Sequence, residues 1–494
     1  MRLDGCEPSD WWGRLLLNRL SGWDAMLMYS ETPNVHNHTL KVVVVNTADV
    51  DGGYRFDVFR QTLARRMHLL DPMRYRLIDI PFQLHHPIWL EQASIDLDYH
   101  IRPVRVRSPG GRRELDEVIS DIASTPLDRT RPLWQVFFAE GMADDRVAVI
   151  GKVHHALADG IASANLLARA MDQNGPQPPE AEPVSSATVP TRAQLLRAAG
   201  RDHARQIRKL PSVLVDSAVG VSRVRGRARE RGHHPHLARQ FNPPPTFMNH
   251  VVSPIRRFAS ATLSLAEFKE TSKGLGVTIN DLVLAVSAGA LRELLLRFDG
   301  RADAPILASV PASTDLSPDR IVGNALTVMV ASLPVHIADP LERVRLTSIA
   351  TAVAKENDQL LGRQLISRWM AYIPPVLAPA AFRWLSQRDA QNKLFNVSIS
   401  NVPGPRERGR LSGATVGEFY SVGPVSAGCG LNITVWSYVD QLNISILCDD
   451  RTMADPHLAT DAMVESFADL RSVSGYSTTL TEVPTAMARA TAAH

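Results

Sequence analysis

Apolar positions along the chain form short continuous runs and helical stripes, and both kinds recur in each half. Residues 40–46, rich in valine, read as a strand, and residues 133–140 and 147–153 read as two strands that pair. Residues 56–70 place Phe56, Phe59, Leu63 and Met67 on one side of a helix, and 115–124 is a second helix. Residues 74–80 and 89–101 are strand-rich, and 125–129 is a turn. Beyond a proline-rich stretch at 174–190 the alternation resumes. Strands are expected at 257–265, 306–310, 325–333, 395–400, 430–438 and 441–448, and helices at 265–274, 278–297, 339–361 and 456–470. The pattern predicts an α/β protein with mixed sheets, divided as an extension (1–19), an N-terminal domain (20–173), a proline-rich and basic connector (174–240), a C-terminal domain (241–478) and a flexible tail (479–494).

Composition narrows the class. A chain of 494 residues exceeds the usual size of one core, so two domains are expected. No run of 18 apolar residues predicts a membrane span, and residues 1–8 carry acids without the apolar centre of a secretory signal. Three cysteines (Cys6, Cys429, Cys448) are too few for a disulfide framework, which points to a reduced, cytoplasmic setting. A net charge of +3 gives no reason to expect a nucleic-acid partner. One local imbalance changes the picture: residues 192–239 hold twelve Arg or Lys against three acids. This is either a solvated connector or a basic arm for anionic lipid head groups or a phosphorylated cofactor. The extension, with Trp11, Trp12, Leu15, Leu16 and Leu17, packs on the body or lies on a membrane.

The candidate chemistry follows the strand at 146–153. His154 and His155 stand at its end, Asp159 and Gly160 follow, and residues 161–171 read as a helix. A strand that delivers an imidazole into a loop holds it rigidly, and histidine is the side chain suited to take a proton near neutral pH. A histidine pair at a strand end also serves purely structural roles. A zinc site would need a third ligand at motif spacing, which is missing, so no metal is expected. Two other pairs, His85-His86-Pro87 and His233-His234-Pro235, lack the Asp-Gly and read as surface or loop histidines. No GxGxxG or GxxxxGK[ST] loop is present.

The stretch His154-His155-Ala-Leu-Ala-Asp159-Gly160 resembles the HHxxxDG signature of the bacterial wax ester synthase/acyl-CoA:diacylglycerol acyltransferase family, within the chloramphenicol-acetyltransferase-like superfamily. Pro132-Leu133-Trp134 is similar to the family's PLW motif, Asn280-Asp281 to its Asn-Asp motif, Val310-Pro-Ala-Ser313 and Gly323-Asn324 to its next segment, and Ser400-Asn401-Val-Pro-Gly404-Pro405 to its late motif. Residues 20–31 are similar to its opening, although Trp23 departs from it.

The resemblance implies two chloramphenicol-acetyltransferase-like domains with a tunnel between them. One end would admit acyl-CoA and the other a diacylglycerol or fatty alcohol, with no cofactor. It implies that His155 is a general base that deprotonates the acceptor and then protonates the CoA thiolate, with no acyl-enzyme. His154 would support it, and Asp159 would brace the loop against an arginine. Gly160 would permit close backbone approach or an unusual φ. Asn280 and Asp281 either cap a helix or help to hold an oxyanion. Pro132, Leu133 and Trp134 are wall or core, and Ser400, Asn401 and Gly404 are turn residues or tunnel wall. The protein would be cytoplasmic, peripheral to a membrane or lipid droplet. The competing readings are an acyltransferase for a specialised-metabolite acceptor and a non-catalytic lipid-surface protein.

Overall fold

The computed structural model describes residues 18–48, 50, 52–171, 188–388, 394–477 and 479–481. The extension before residue 18, the proline-rich stretch at 172–187 and the tail beyond 481 lie outside the described residues. Two six-stranded mixed sheets dominate. The first runs, in spatial order, Arg410–Leu411, Ala414–Val422, His38–Asn46, Arg146–His154, Trp134–Glu140 and Ile101–Arg105. The second runs Leu326–Leu333, Ile306–Ser313, Val397–Pro403, Leu431–Tyr438, Gln441–Asp449 and Arg256–Ser264. Strands His38–Asn46, Arg146–His154 and Gln441–Asp449 are buried along almost their whole length, so both faces of each are covered.

The sheets do not divide where the sequence divides. Ala414–Val422 belongs to the C-terminal half yet pairs antiparallel with His38–Asn46 of the first sheet. Its Val416 and Phe419 are buried with Val43, Val45 and Phe138 in the N-terminal core. A boundary at 241 is therefore crossed by a donated strand. Helix Arg112–Ser124 lies across the other junction, packed against strand Arg256–Ser264. There Asp116 accepts hydrogen bonds from the Ser260 backbone and hydroxyl, and Arg112 reaches Ser260, Tyr420 and Glu418.

The basic part of the connector is helical. Arg192–Arg231 is a single 40-residue helix, opened by a Thr191–Gln194 capping box and carrying Pro211 inside it. It straps both halves together. Leu195 and Ala199 pack on Ile80 and Ile88, and Asp202 pairs with Arg19 at 2.6 Å. Further along, Arg368 pairs with Asp216, and Glu356 receives Arg227 and Arg231. A Cβ at Gly220 would stand 2.7 Å from the Leu361 carbonyl, so a side chain there would push the strap off helix Pro340–Leu361. The sequence could not distinguish this helix from a solvated linker, because its buried stripe is made of small residues and isolated leucines and valines.

Candidate active site

Strand Arg146–His154 is held on both sides at its C-terminal end. His38 faces His154 in register, and the His154 backbone N–H donates to the Leu133 carbonyl at 2.9 Å. The following N–H, of His155, donates to the Asn37 carbonyl at 2.8 Å. The loop then turns into helix Gly160–Ala170, whose N-cap is Asp159.

The His155 ring is half-buried. Its Nδ1 is sealed from solvent with no hydrogen-bond partner beyond the residue's own backbone, while Nε2 makes no hydrogen bond among the described residues. Burial depresses its pKa below the ordinary histidine value; the nearby Lys41 and His154 act in the same direction, opposed by the backbone contact and Asp159. The ring is thus neutral at pH 7, the form a base requires.

His154 does different work. It is fully buried, and its Nδ1 accepts the Ala156 N–H at 3.0 Å, which leaves the proton on Nε2. That nitrogen faces a Glu31 oxygen at 3.6 Å; the other Glu31 oxygen lies 3.2 Å from His38 Nε2. Burial opposes the charge on Glu31, but hydrogen bonding to His154 and His38 outweighs it and holds the carboxyl below its ordinary value. Burial pushes His38 down to about 3, so Glu31 is an anion beside two neutral imidazoles, and His38 Nε2 accepts the Leu127 N–H at 3.4 Å. This cluster fixes the ring beside the candidate base.

Asp159 points away from His155 and ties the loop to the C-terminal half. One oxygen receives the Ala162 N–H at 2.9 Å and Arg320 Nη2 at 3.0 Å; the other receives the Ala325 N–H at 3.0 Å. The arginine partner left open by the sequence is therefore Arg320. Gly323 adds a two-way backbone clasp, donating to Leu157 O and accepting from Asp159 N, at a φ of +78° that suits glycine. Asn324 donates both to the His155 carbonyl (2.8 Å) and to Asp24 (2.7 Å). Gly160 lies close to the second sheet: a Cβ there would come within 3.2 Å of the Val402 side chain, which would have to give by a few tenths of an ångström.

The remaining motif residues separate by role. Leu133 and Trp134 are core, 0% and 1% exposed, and Pro132 is buried beside them. The Trp134 indole donates to Met73 O at 2.6 Å and stacks on His100. Of the two roles expected for this motif, wall or core, the burial fits core, and the motif anchors the strand end through Leu133 O. Asp281 closes a capping box with Thr278 and accepts from Thr351, so its carboxylate is spent on the helix start; Asn280 is half-buried in the first turn. Neither has a polar contact to His155 among the described residues. Ser400 and Asn401 are half-buried on strand Val397–Pro403. Ser400 shares the face of Val402, which meets Gly160, and Asn401 takes the other face. A Cβ at Gly404 would stand 2.3 Å from Trp436 Nε1 and the Ser437 carbonyl, so close packing excludes any larger residue.

Several members of the site went unread in the sequence: Glu31, Asn37, His38, Lys41 and Arg320. A signal existed for one of them, since His36 and His38 alternate immediately before a valine run and His38 ends directly opposite the motif. Lys41 lies on the same strand, with Nζ 4.6 Å from the Trp436 ring and bonded to Ser421; burial lowers it to about 7. Among the described residues no cluster of three His, Cys, Asp or Glu is arranged to hold a metal ion.

Comparison with known proteins agrees with this geometry. Residues 20–283 match the model of the wax ester synthase/diacylglycerol acyltransferase catalytic domain, and residues 322–471 match the C-terminal domain of the same family. A Mycobacterium tuberculosis relative, provisionally named a diacylglycerol O-acyltransferase, is 55% identical over 475 residues, spanning 96% of this chain and 100% of its own. The O-acyltransferase WSD of Acinetobacter baylyi is 33% identical over 372 residues, covering 74% of this chain and 79% of its own. Among solved structures, the wax ester synthase/diacylglycerol acyltransferase of Marinobacter aquaeolei superposes with a TM-score of 0.64 at 25% identity, over 93% of this chain and all of its own. A condensation domain of the CDA synthetase shares the fold at a TM-score of 0.56 and 15% identity, over 95% of this chain and 99% of its own. The chain belongs to the wax ester synthase/diacylglycerol acyltransferase family, and it is an acyltransferase.

Proposed function

We propose that the protein transfers a long acyl group from acyl-CoA directly to the hydroxyl of diacylglycerol or a long-chain alcohol, with His155 as the general base. The observation that carries this reading is the divided treatment of the two imidazoles. His154 is sealed, with Nδ1 held by the Ala156 N–H and Nε2 turned toward the Glu31 carboxylate at 3.6 Å, whereas His155 is neutral and its Nε2 makes no hydrogen bond among the described residues. Nε2 takes the proton from the acceptor hydroxyl as its oxygen attacks the thioester carbonyl. The C–S bond then breaks, and the same proton passes to the CoA sulfur. No nucleophilic side chain enters the sequence of bonds, so no acyl-enzyme forms, and no cofactor is required. Substrates would meet at His155, from which water must be kept.

Purified protein given palmitoyl-CoA with dioleoylglycerol or 1-hexadecanol releases CoA and forms triacylglycerol or wax ester. His155→Ala lowers the rate by about 10²–10⁴-fold, the usual contribution of a positioned base. Wild-type protein that makes neither lipid, or a His155→Ala variant as fast as wild type, overturns the reading.

We further infer that the strap helix rests on an anionic lipid surface. Its outward side carries exposed Ile207, Leu214, Val215 and Val219 among Arg208, Lys209, Arg223, Arg225 and Arg229. Among the described residues no single helix is long and apolar enough to cross a membrane, so this contact would be peripheral.

A further inference from the structure

A second histidine pair has a setting of its own. The sequence places His85 and His86 in a surface loop, but the structure buries them at 4% and 2% exposure. His86 is committed on both nitrogens, to the Tyr29 hydroxyl and the Ala371 carbonyl. His85 is not. Its Nδ1 accepts the His86 N–H at 2.8 Å, so the proton of the neutral ring sits on Nε2, which is sealed and has no acceptor among the described residues. Burial, with Arg19 nearby, pushes His85 down to about 3, so the ring stays neutral across the physiological range. A buried donor without a partner is costly, and such an orphan needs an account.

His85 lines a cavity of about 350 Å³ between the turn at Pro81–Gln83, the strap helix and residues 371–376. Its walls are mostly apolar, with Leu84, Ile207, Leu210, Ile373, Pro374 and Val376, and polar side chains enter from His203 and Gln206. The volume lies at the lower end of small-molecule sites, about 300–1,000 Å³. At about 30 Å³ per water molecule it has room for roughly a dozen waters, or a comparable run of methylene groups. The rim is apolar too, with Phe82, Ile207, Val376 and Leu377 at 81%, 69%, 55% and 65% exposure. Arg208 and Lys209 stand on the same helix beside it.

We propose that this cavity binds the aliphatic chain of a lipid whose head carries a hydrogen-bond acceptor oxygen, the hydroxyl of a long-chain alcohol or an ester carbonyl of an acylglycerol, with His85 as the donor. The cavity is separate from the His155 motif and holds the acceptor lipid as it leaves the lipid surface under the strap. The assignment of the acceptor rests on the acyltransferase reading, whereas the binding of the chain does not.

The test measures binding of radiolabelled 1-hexadecanol to the full chain without acyl-CoA, with dioleoylglycerol and hexadecane as competitors. Ile207→Trp and Val376→Trp fill the cavity from exposed positions, so folding is preserved. Each weakens 1-hexadecanol binding by about tenfold or more, a loss of about 1.4 kcal/mol. Each also raises KM for the alcohol while leaving kcat and KM for palmitoyl-CoA unchanged. Displacement by dioleoylglycerol makes the acylglycerol a second occupant; its failure restricts the site to the alcohol. Hexadecane, which lacks the oxygen, competes poorly against wild type and well against His85→Phe. Filled variants that bind 1-hexadecanol as wild type does overturn the proposal. So does binding that emerges only when residues 1–17 are removed, which would give the cavity to the chain's own N-terminal segment. If wild type makes no ester yet the filled variants lose binding, the site stands and the acyltransferase reading falls.

Discussion

At the scale of single residues the site rests on unequal treatment of neighbours. His154 and His155 are adjacent and chemically identical, yet the Ala156 N–H and Glu31 fix the tautomer of one and leave the other its Nε2. Because burial lowers the His155 pKa, its proton comes on only below the ordinary value of about 6.5. Activity is therefore full above that value and lost as pH falls through the depressed pKa. The acid limb of kcat/KM should lie below pH 6.5, and a limb above it would contradict a buried neutral base. The pair and its Asp-Gly were legible in the sequence because they are contiguous. Glu31, Asn324 and Arg320 were not legible as partners, because their roles depend on chain crossings that no local pattern encodes.

Among the elements, most strands and helices could be read from apolar period, since both sheets are built of short β-branched runs. The strap could not. Its 40 residues bury only Leu195, Ala198, Ala199, Val213 and Gly220, too sparse a stripe to separate from a polar linker. What the stripe leaves outward is cationic and apolar together. Replacing Arg208, Lys209, Arg223, Arg225 and Arg229 with glutamine removes five charges worth about 1 kcal/mol each near an anionic surface. Sedimentation with phosphatidylglycerol vesicles at low salt should fall sharply in this variant, while binding to phosphatidylcholine vesicles changes little. Unaltered sedimentation with the anionic vesicles would reject the lipid-facing role.

For the whole molecule, the two halves are joined by buried polar contacts rather than by apolar surface alone. His457 Nε2 lies 3.1 Å from Asp116, which also receives Ser260, so the last helix, strand Arg256–Ser264 and helix Arg112–Ser124 meet at one carboxylate. Hydrogen bonding to Asp116 raises the His457 pKa above its ordinary value. A raised pKa stabilises the fold fully below about 6.5 and ceases to do so as pH rises through the folded value. His457→Gln should therefore lower Tm more at pH 6 than at pH 9. An equal loss at both would mean that the ion pair does not join the halves.

The donated strand Ala414–Val422 bears on how the protein is made. His38–Asn46 leaves the ribosome early, but its neighbour in the sheet emerges almost four hundred residues later. At about 5–20 residues per second, the valine-rich strand waits roughly 20–80 s with one edge open. During that interval it is a template for pairing with other nascent chains. A cell producing this protein must shield that edge, and a polypeptide ending short of residue 414 would carry the exposure permanently.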